Sequence, residues 1–151
     1  MKPRLKNPAA VVPNAMTAIL DLAKVAESTA IPPKTLALVH LRASQINRCA
    51  VCIDLEIQRS AERETAQRLA AIAAWRDAPF FTAAERAALA LADSVTRLAD
   101  RDDAVPDEVW AEAARHYDEA QLAGLVLYIS VTNLWNRLNV ATRQVAGAQS
   151  W

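Results

Sequence analysis

Glycine is scarce in this chain of 151 residues: there are two, Gly124 and Gly147. A phosphate-binding loop or a dinucleotide fingerprint needs several closely spaced glycines, so both motifs are excluded. An all-β fold uses many turn residues, which an alanine-rich, glycine-poor sequence does not supply, and alanine favours helices. The hydrophobic fraction of 53% and the charged fraction of 23% exclude a disordered chain.

Net charge and long apolar runs are also missing. The 17 basic residues balance the 17 acidic ones, and the basic excess typical of nucleic-acid-binding proteins is absent. The longest apolar run, 122–131, is about half the length that a membrane span needs. The basic N-terminus before residues 9–20 superficially resembles a signal peptide, but an amphipathic pattern continues beyond it and favours a helix. We therefore expect a cytoplasmic protein without nucleic-acid or membrane partners.

Apolar residues recur at helical spacing along the chain and predict an all-α fold, with about six to seven helices in one domain over residues 1–151. In the first helix, Leu20 is expected to face inward with its apolar neighbours. Asn47 is the predicted N-cap of the third helix, Thr82 begins a capping box, and Asp118 caps a long last helix. The first six predicted helices cover 13–27, 33–44, 48–62, 64–74, 82–98 and 106–116, and the last helix follows Asp118.

The two cysteines form the motif Cys49-Ala-Val-Cys52. Without a secretory signal, such a pair is more typical of redox or metal chemistry than of a structural disulfide. Residues three apart on a helix share a face, so the sulfurs can meet as a disulfide, and a helix start together with Arg48 favours the thiolate. Two alternatives stay open: a pair of small core residues, or a zinc site completed by His40, His116 or carboxylates.

The residues around this pair resemble a known family. Residues 41–55, LRASQINRCAVCIDL, closely resemble the core motif of the AhpD-like alkylhydroperoxidases of the carboxymuconolactone decarboxylase superfamily. The resemblance covers about residues 10–145 and implies an AhpD-like helical bundle with the CxxC pair at the start of a central helix. It also implies a homo-oligomer, often a trimer or a hexamer. Further similar segments lie at 73–76, 79–82, 85–89 and 134–140.

The resemblance also implies an antioxidant activity. In the peroxidase members the second cysteine, here Cys52, attacks a hydroperoxide and becomes a sulfenic acid, and the first, here Cys49, resolves it to a disulfide. A thiol donor such as a lipoyl or thioredoxin-like protein then restores the thiols. This cycle, which reduces a peroxide or a disulfide partner, needs no cofactor and no metal, and it agrees with the rule that the thiolate is the nucleophile.

Two expected residues of the family's proton relay are missing. A glutamate twelve residues before the first cysteine and a histidine four after the second are replaced by Ala37 and Glu56. An ionised Glu56 shares a helix face with Cys52 and raises the pKa of its thiol, so the activity is expected to be weakened. His40, one helical turn after Ala37, is a possible substitute relay, and its alternative role is packing.

Two other functions remain open at this stage. The missing relay residues also fit a non-catalytic oligomeric family member that acts as a binding or stress-related module. Decarboxylase-like chemistry on a small lactone is the third alternative, although such family members do not depend on a cysteine pair. The polar side chains of Asn133, Asn136 and Asn139, near the end of the chain, are expected to be solvent-facing or hydrogen-bonded across an interface. Trp151 is expected to be disordered or docked on a neighbouring subunit.

Overall fold

The computed structural model describes residues 1–148, all helical or irregular and without a strand in that range. Trp151 lies outside the described residues. The all-α fold predicted from the sequence is confirmed. The helices within residues 1–148 are α1 (Pro8–Val11), α2 (Ala15–Glu27), α3 (Pro33–Ile46), α4 (Ala50–Ser60), α5 (Ala66–Ala71), α6 (Ala83–Thr96), α7 (Asp107–Ala114) and α8 (Glu119–Ala141).

Each of the seven helices predicted from the sequence has a counterpart among α2 to α8, and the four-residue α1 precedes them. Helix α1 has only four residues, about one turn, so the spacing of apolar residues could not predict it. It begins because the Asn7 side chain accepts a hydrogen bond from the Ala9 N–H and Pro8 occupies the first helical position. The predicted fourth helix is shorter than expected, because it passes into a 3₁₀ turn over Ile72–Ala74.

The capping predictions have different outcomes. Thr82 and Asp118 both form capping boxes, as predicted. Asn47 is instead the C-cap of α3, and Cys49 is the N-cap of α4. The prediction for Asn47 was wrong because α3 runs two residues further than its apolar pattern indicates, so the next helix starts later.

Helix α3 is the centre of the fold, and it packs against α4, α6 and α8. Its residues Leu38, Val39 and Leu41 are almost completely buried. Leu89 and Leu91 of α6 are also buried, as are Leu125 and Ile129 of α8. Helix α4, which carries the cysteines, contacts both α3 and α8, so the CxxC pair stands at the start of a helix that is held from two sides.

A buried ion-pair cluster fastens α3 to α6. The Asp93 carboxylate accepts hydrogen bonds from Arg42 of α3 and, at 2.7 Å, from Arg76. Burial alone would raise the pKa of Asp93, but the hydrogen bonds and charges of the two arginines outweigh it and lower the pKa. The carboxylate is therefore ionised at neutral pH and has a structural role.

Helix α2 is the least buried of the long helices. Leu20, expected to face inward, is 43% exposed, and Leu22 and Val25 are also exposed. Ala26 is its one buried residue within the described chain. None of the helices in residues 1–148 combines the length and the apolar character required to cross a bilayer.

Candidate redox site

The junction of α3 and α4 places the two cysteines. After α3 the chain turns at Arg48, whose φ is +56°. The Cys49 N–H donates to the Ser44 carbonyl at 2.9 Å and the Arg48 N–H to the Gln45 carbonyl at 3.2 Å, which is the Schellman pattern of a helix end. Cys49 therefore becomes the N-cap of α4, and Cys52 is the third residue of the helix.

The cysteines are joined by a disulfide, with their Cα atoms 5.3 Å apart. The Cys49 Sγ also accepts a hydrogen bond from the Cys52 N–H at 3.3 Å. Both side chains are buried and form a small cluster with Val51. Within residues 1–148 no group of three or more histidine, cysteine or acidic residues could hold a metal ion. His116, the other zinc candidate, instead faces Glu112 on α7.

A chain of two buried amides reaches the Cys52 sulfur. The Asn7 Oδ1 accepts from the Ala9 backbone N–H at 2.9 Å, and a backbone N–H can only donate. The other end of the Asn7 amide, Nδ2, must therefore face Asn139, and it donates to the Asn139 Oδ1 at 2.7 Å. This leaves the Asn139 Nδ2 to donate to the Cys52 Sγ at 3.4 Å. The sulfur thus meets an N–H donor whose orientation is determined by the backbone of α1.

A second amide cluster lies beside the first on α8. The Asn47 Nδ2 donates to the Oδ1 atoms of Asn133 and Asn136, both at 2.8 Å. Asn136 donates in turn to the Ser44 hydroxyl of α3 at 3.0 Å. The three asparagines of α8 are buried, so the solvent-facing alternative was wrong. They are hydrogen-bonded to other segments of the chain, including α3. They join the last helix to the turn that carries the cysteines.

His40 and Glu56 lie together behind the cysteine helix. The His40 Nδ1 is 4.0 Å from the Glu56 Oε2, and both side chains are nearly buried. The other carboxylate oxygen, Oε1, accepts a hydrogen bond from the Ser60 hydroxyl at 2.9 Å. The His40 ring also makes a hydrogen bond with the Cys52 backbone. The structure therefore places His40, the possible substitute relay, beside Glu56 and against the backbone of Cys52.

Burial determines the charge of this pair. Burial, and after it the nearby positive charge of Arg59, lowers the pKa of His40 to about 4, against the effect of the hydrogen bond to the Cys52 backbone. The imidazole is therefore neutral at pH 7. Burial also raises the pKa of Glu56, although Ser60 and the Arg59 charge act in the opposite direction. A raised pKa weakens the repulsion that Glu56 would otherwise exert on a Cys52 thiolate.

Two cavities approach the site from different sides. One, of about 490 Å³, is lined by Ala37 and Glu56 together with Tyr128. The second, of about 150 Å³, is lined by Cys49 and Asn139 and lies at the ends of α3 and α8. Both cysteines are almost completely buried, at 1% and 3% exposed, and the smaller cavity borders the residue Cys49 but not Cys52.

Sequence reasoning missed Asn7 and Asn139 as site residues. A signal was present for Asn139, since it lies three and six residues after two other asparagines on α8, and this spacing places all three on one helix face. Asn7 gave no such signal, because its role depends on α1 packing beside the end of α8, more than 130 residues away in the chain.

Comparison with known protein sequences finds related chains. Residues 13–94 match the model of the carboxymuconolactone decarboxylase family. Over 132 residues the chain is 36% identical to the uncharacterised protein YdfG of Bacillus subtilis, covering 87% of this chain and 88% of that one. Over 112 residues it is 32% identical to the uncharacterised protein YnjA of Escherichia coli. That alignment covers 74% of this chain and 60% of YnjA.

Solved structures of similar fold complete the comparison. ATU0492 from Agrobacterium tumefaciens, a protein of unknown function that has been suggested to be the antioxidant defence protein AhpD, matches with a TM-score of 0.89 and 30% identity, covering 98% of this chain and all of that one. The debrominase Bmp8 matches with a TM-score of 0.79 and 22% identity, over 92% of this chain and 74% of that one, and shows the shared fold. The chain belongs to the carboxymuconolactone decarboxylase family and is an AhpD-like member of it.

Proposed function

We propose that this protein is a thiol-dependent oxidoreductase that reduces hydroperoxides through Cys52 and Cys49. The observation that supports this most is the oriented Asn139 amide, which presents an N–H to the Cys52 sulfur at 3.4 Å. A hydrogen-bond donor stabilises a thiolate more than a thiol, and the first turn of α4 adds the positive end of the helix dipole. Cys52 is therefore the nucleophile, and Cys49, joined to it as a disulfide, is the resolving residue.

The reaction proceeds in two steps. The Cys52 thiolate attacks one peroxide oxygen, the O–O bond breaks, and the alkoxide leaves and takes up a proton, so that Cys52 becomes a sulfenic acid. The Cys49 thiolate then attacks the Cys52 Sγ, and hydroxide leaves as water after protonation. The product is the Cys49–Cys52 disulfide. An external dithiol, such as a lipoyl or thioredoxin-like protein, returns two electrons and restores both thiols.

His40 and Glu56 together replace the missing relay in this proposal. Glu56, one helical turn after Cys52, accepts the proton that the thiol loses, and His40, whose Nδ1 is 4.0 Å from the Glu56 Oε2, holds that carboxyl in place. A carboxyl with a raised pKa is a better proton acceptor than an ordinary one. Glu56 lines the larger cavity, from which the proton reaches solvent. We place the protein in the cytoplasm, where thiol donors keep such disulfides reducible.

The test follows the reduced protein after mixing with an organic hydroperoxide, with mass spectrometry of the intact chain and of its peptides. Wild type is expected to lose two hydrogens as the disulfide forms. Cys52→Ser is expected to stay reduced, and Cys49→Ser to accumulate sulfenic and then sulfinic acid on Cys52. If neither cysteine of the wild type oxidises faster than free cysteine at the same pH, the peroxidase function is excluded and a non-catalytic oligomeric module becomes the better description.

A further inference from the structure

Two arginines occupy backbone positions that favour glycine, and both stand beside the disulfide. Arg48 follows α3 with φ +56°, and Arg143 follows α8 with φ +55°. Each belongs to a Schellman turn, since the Gln144 N–H donates to the Asn139 carbonyl at 2.9 Å just as the Cys49 N–H donates to Ser44. Glycine adopts this left-handed conformation without the steric cost that a side chain imposes.

The two turns converge on one cavity. Arg48, Arg143 and Gln144 line the cavity of about 150 Å³ with Cys49 and Asn139, and both arginines are exposed. Cys52 does not line this cavity. A molecule that enters here therefore lies next to Cys49, the half of the disulfide on this side, and near two exposed arginines.

The helix ends account for only part of this arrangement. A basic residue after the last turn interacts favourably with the negative end of a helix dipole, and that explains one arginine at each end. It does not explain why both charges flank the same cavity, the one that borders Cys49 of the disulfide. Two positive charges at the mouth of a small cavity raise the local concentration of anions and the rate at which they react there.

We propose that this cavity admits the reductant, that the reductant is a thiol carrying negative charge close to its sulfur, and that it attacks Cys49. This inference rests on the proposed redox function and specifies its electron donor. The donor thiolate attacks the Cys49 Sγ and the Cys49–Cys52 bond breaks. Cys52 leaves as a thiolate, which the hydrogen bond from the Asn139 N–H stabilises. A second donor thiolate then attacks the donor sulfur of the mixed disulfide, so Cys49 leaves as a thiolate and the donor becomes a disulfide.

The experiment compares the rates at which two monothiols reduce the oxidised protein: mercaptosuccinate, which is anionic, and β-mercaptoethanol, which is neutral. The ratio of the two rates is measured for wild type and for the double variant Arg48→Gly/Arg143→Gly. Glycine suits the left-handed turns, so folding is not at risk. The control is Arg101→Gly, which removes an exposed arginine that does not line the cavity.

We expect the ratio of the mercaptosuccinate rate to the β-mercaptoethanol rate to fall roughly fivefold in the double variant and to stay unchanged in Arg101→Gly. For wild type the same ratio is expected to fall as salt is added. Peptide mapping after rapid acid quenching is expected to find the mixed disulfide on Cys49. An unchanged ratio in the double variant, or a mixed disulfide on Cys52, overturns the proposal and leaves the redox function intact. If neither thiol reduces the bond in wild type, the proposal fails as well, and the hydroperoxide assay decides the redox function separately.

Discussion

Asn139 has one amide orientation that satisfies its neighbours, and that orientation turns an N–H toward sulfur. The constraint starts at the Ala9 N–H, passes through Asn7 and ends at Cys52. A carbonyl oxygen in the same place would repel a thiolate, whereas the N–H stabilises it. The N-cap residue of a short helix, distant in the sequence, thus determines the orientation of the amide that faces Cys52.

Replacing one atom of the Asn7 side chain is expected to reverse the orientation of the Asn139 amide. Asn7→Asp retains the oxygen that accepts from Ala9 but replaces the Nδ2 donor with a second oxygen, so the Asn139 amide is expected to flip and turn its oxygen toward Cys52. Measured by the pH dependence of alkylation in a Cys49→Ser background, the pKa of Cys52 is expected to rise by about one unit in Asn7→Asp and in Asn139→Ala.

The matched control is Asn7→Ser, which also retains a capping oxygen for the Ala9 N–H and places no second acceptor against Asn139. We expect it to alter the pKa of Cys52 less than Asn7→Asp does. Equal values in wild type, Asn7→Asp and Asn139→Ala would contradict the role given to the amide chain.

His40 makes the stability of the fold sensitive to acid. Its pKa is about 4 in the folded state against an ordinary value of 6.5, so between these values the unfolded chain binds the extra proton and stability falls as the pH falls. The loss by pH 4 is on the order of 3 kcal/mol at most. Glu56, with its raised pKa, makes stability depend on pH in the opposite direction. It is present both in wild type and in the His40→Gln variant used below, so its effect is common to the two.

Urea unfolding at several pH values between 7 and 4 measures this effect. His40→Gln is expected to lose clearly less stability than wild type over that interval, because glutamine does not titrate. Parallel curves for the two proteins would show that His40 does not bind its proton more weakly in the folded state.

At the scale of elements, the junction between α3 and α4 shows what the sequence could and could not predict. The pattern predicted both helices and placed the cysteines at a helix start, because these features depend on local spacing and on the CxxC motif. It assigned Asn47 to the wrong helix end, because the turn at Arg48 uses a non-glycine residue at positive φ and gives no glycine signal. The amide network and the cavities depend on contacts between distant segments.

The same turn predicts a stability change. Arg48→Gly removes a side chain from a left-handed backbone conformation and is expected to raise the free energy of unfolding by up to about 1 kcal/mol. Arg101→Gly is the control, because Arg101 has extended backbone with φ −147° and glycine there can only add freedom to the unfolded chain. Urea unfolding of the oxidised proteins measures both. A loss of stability in Arg48→Gly would mean that the arginine makes compensating contacts.

At the scale of the whole molecule, seven of the twelve large apolar residues that are exposed within residues 1–148 lie in the first 25 residues. Leu22 is 41% exposed and Val25 59% exposed, three residues apart on α2. An apolar surface of this kind is typical of a face that another protein covers. The homo-oligomer implied by the family, a trimer or a hexamer, remains a prediction, and a second copy of this chain is the expected partner.

Sedimentation of the purified protein tests that prediction. Wild type is expected to sediment as an oligomer, and Leu22→Asp/Val25→Asp to shift toward the monomer, because a buried contact cannot accommodate two unpaired carboxylates. Thr17→Asp, at an exposed polar position of the same helix, is the control and is expected to leave the assembly unchanged. A wild-type protein that is monomeric at micromolar concentration would refute the prediction.

Activation of Cys52 by its surroundings is the central claim, and the most direct measurement is the pKa of that thiol. In the Cys49→Ser variant, in which serine can still cap α4, the rise of thiolate absorbance with pH reports Cys52 alone. The Asn139 donor and the first turn of α4 predict a value at least about one unit below the ordinary 8.5. A pKa at or above 8.5 would mean that burial outweighs both stabilising effects, and it would contradict Cys52 as the nucleophile.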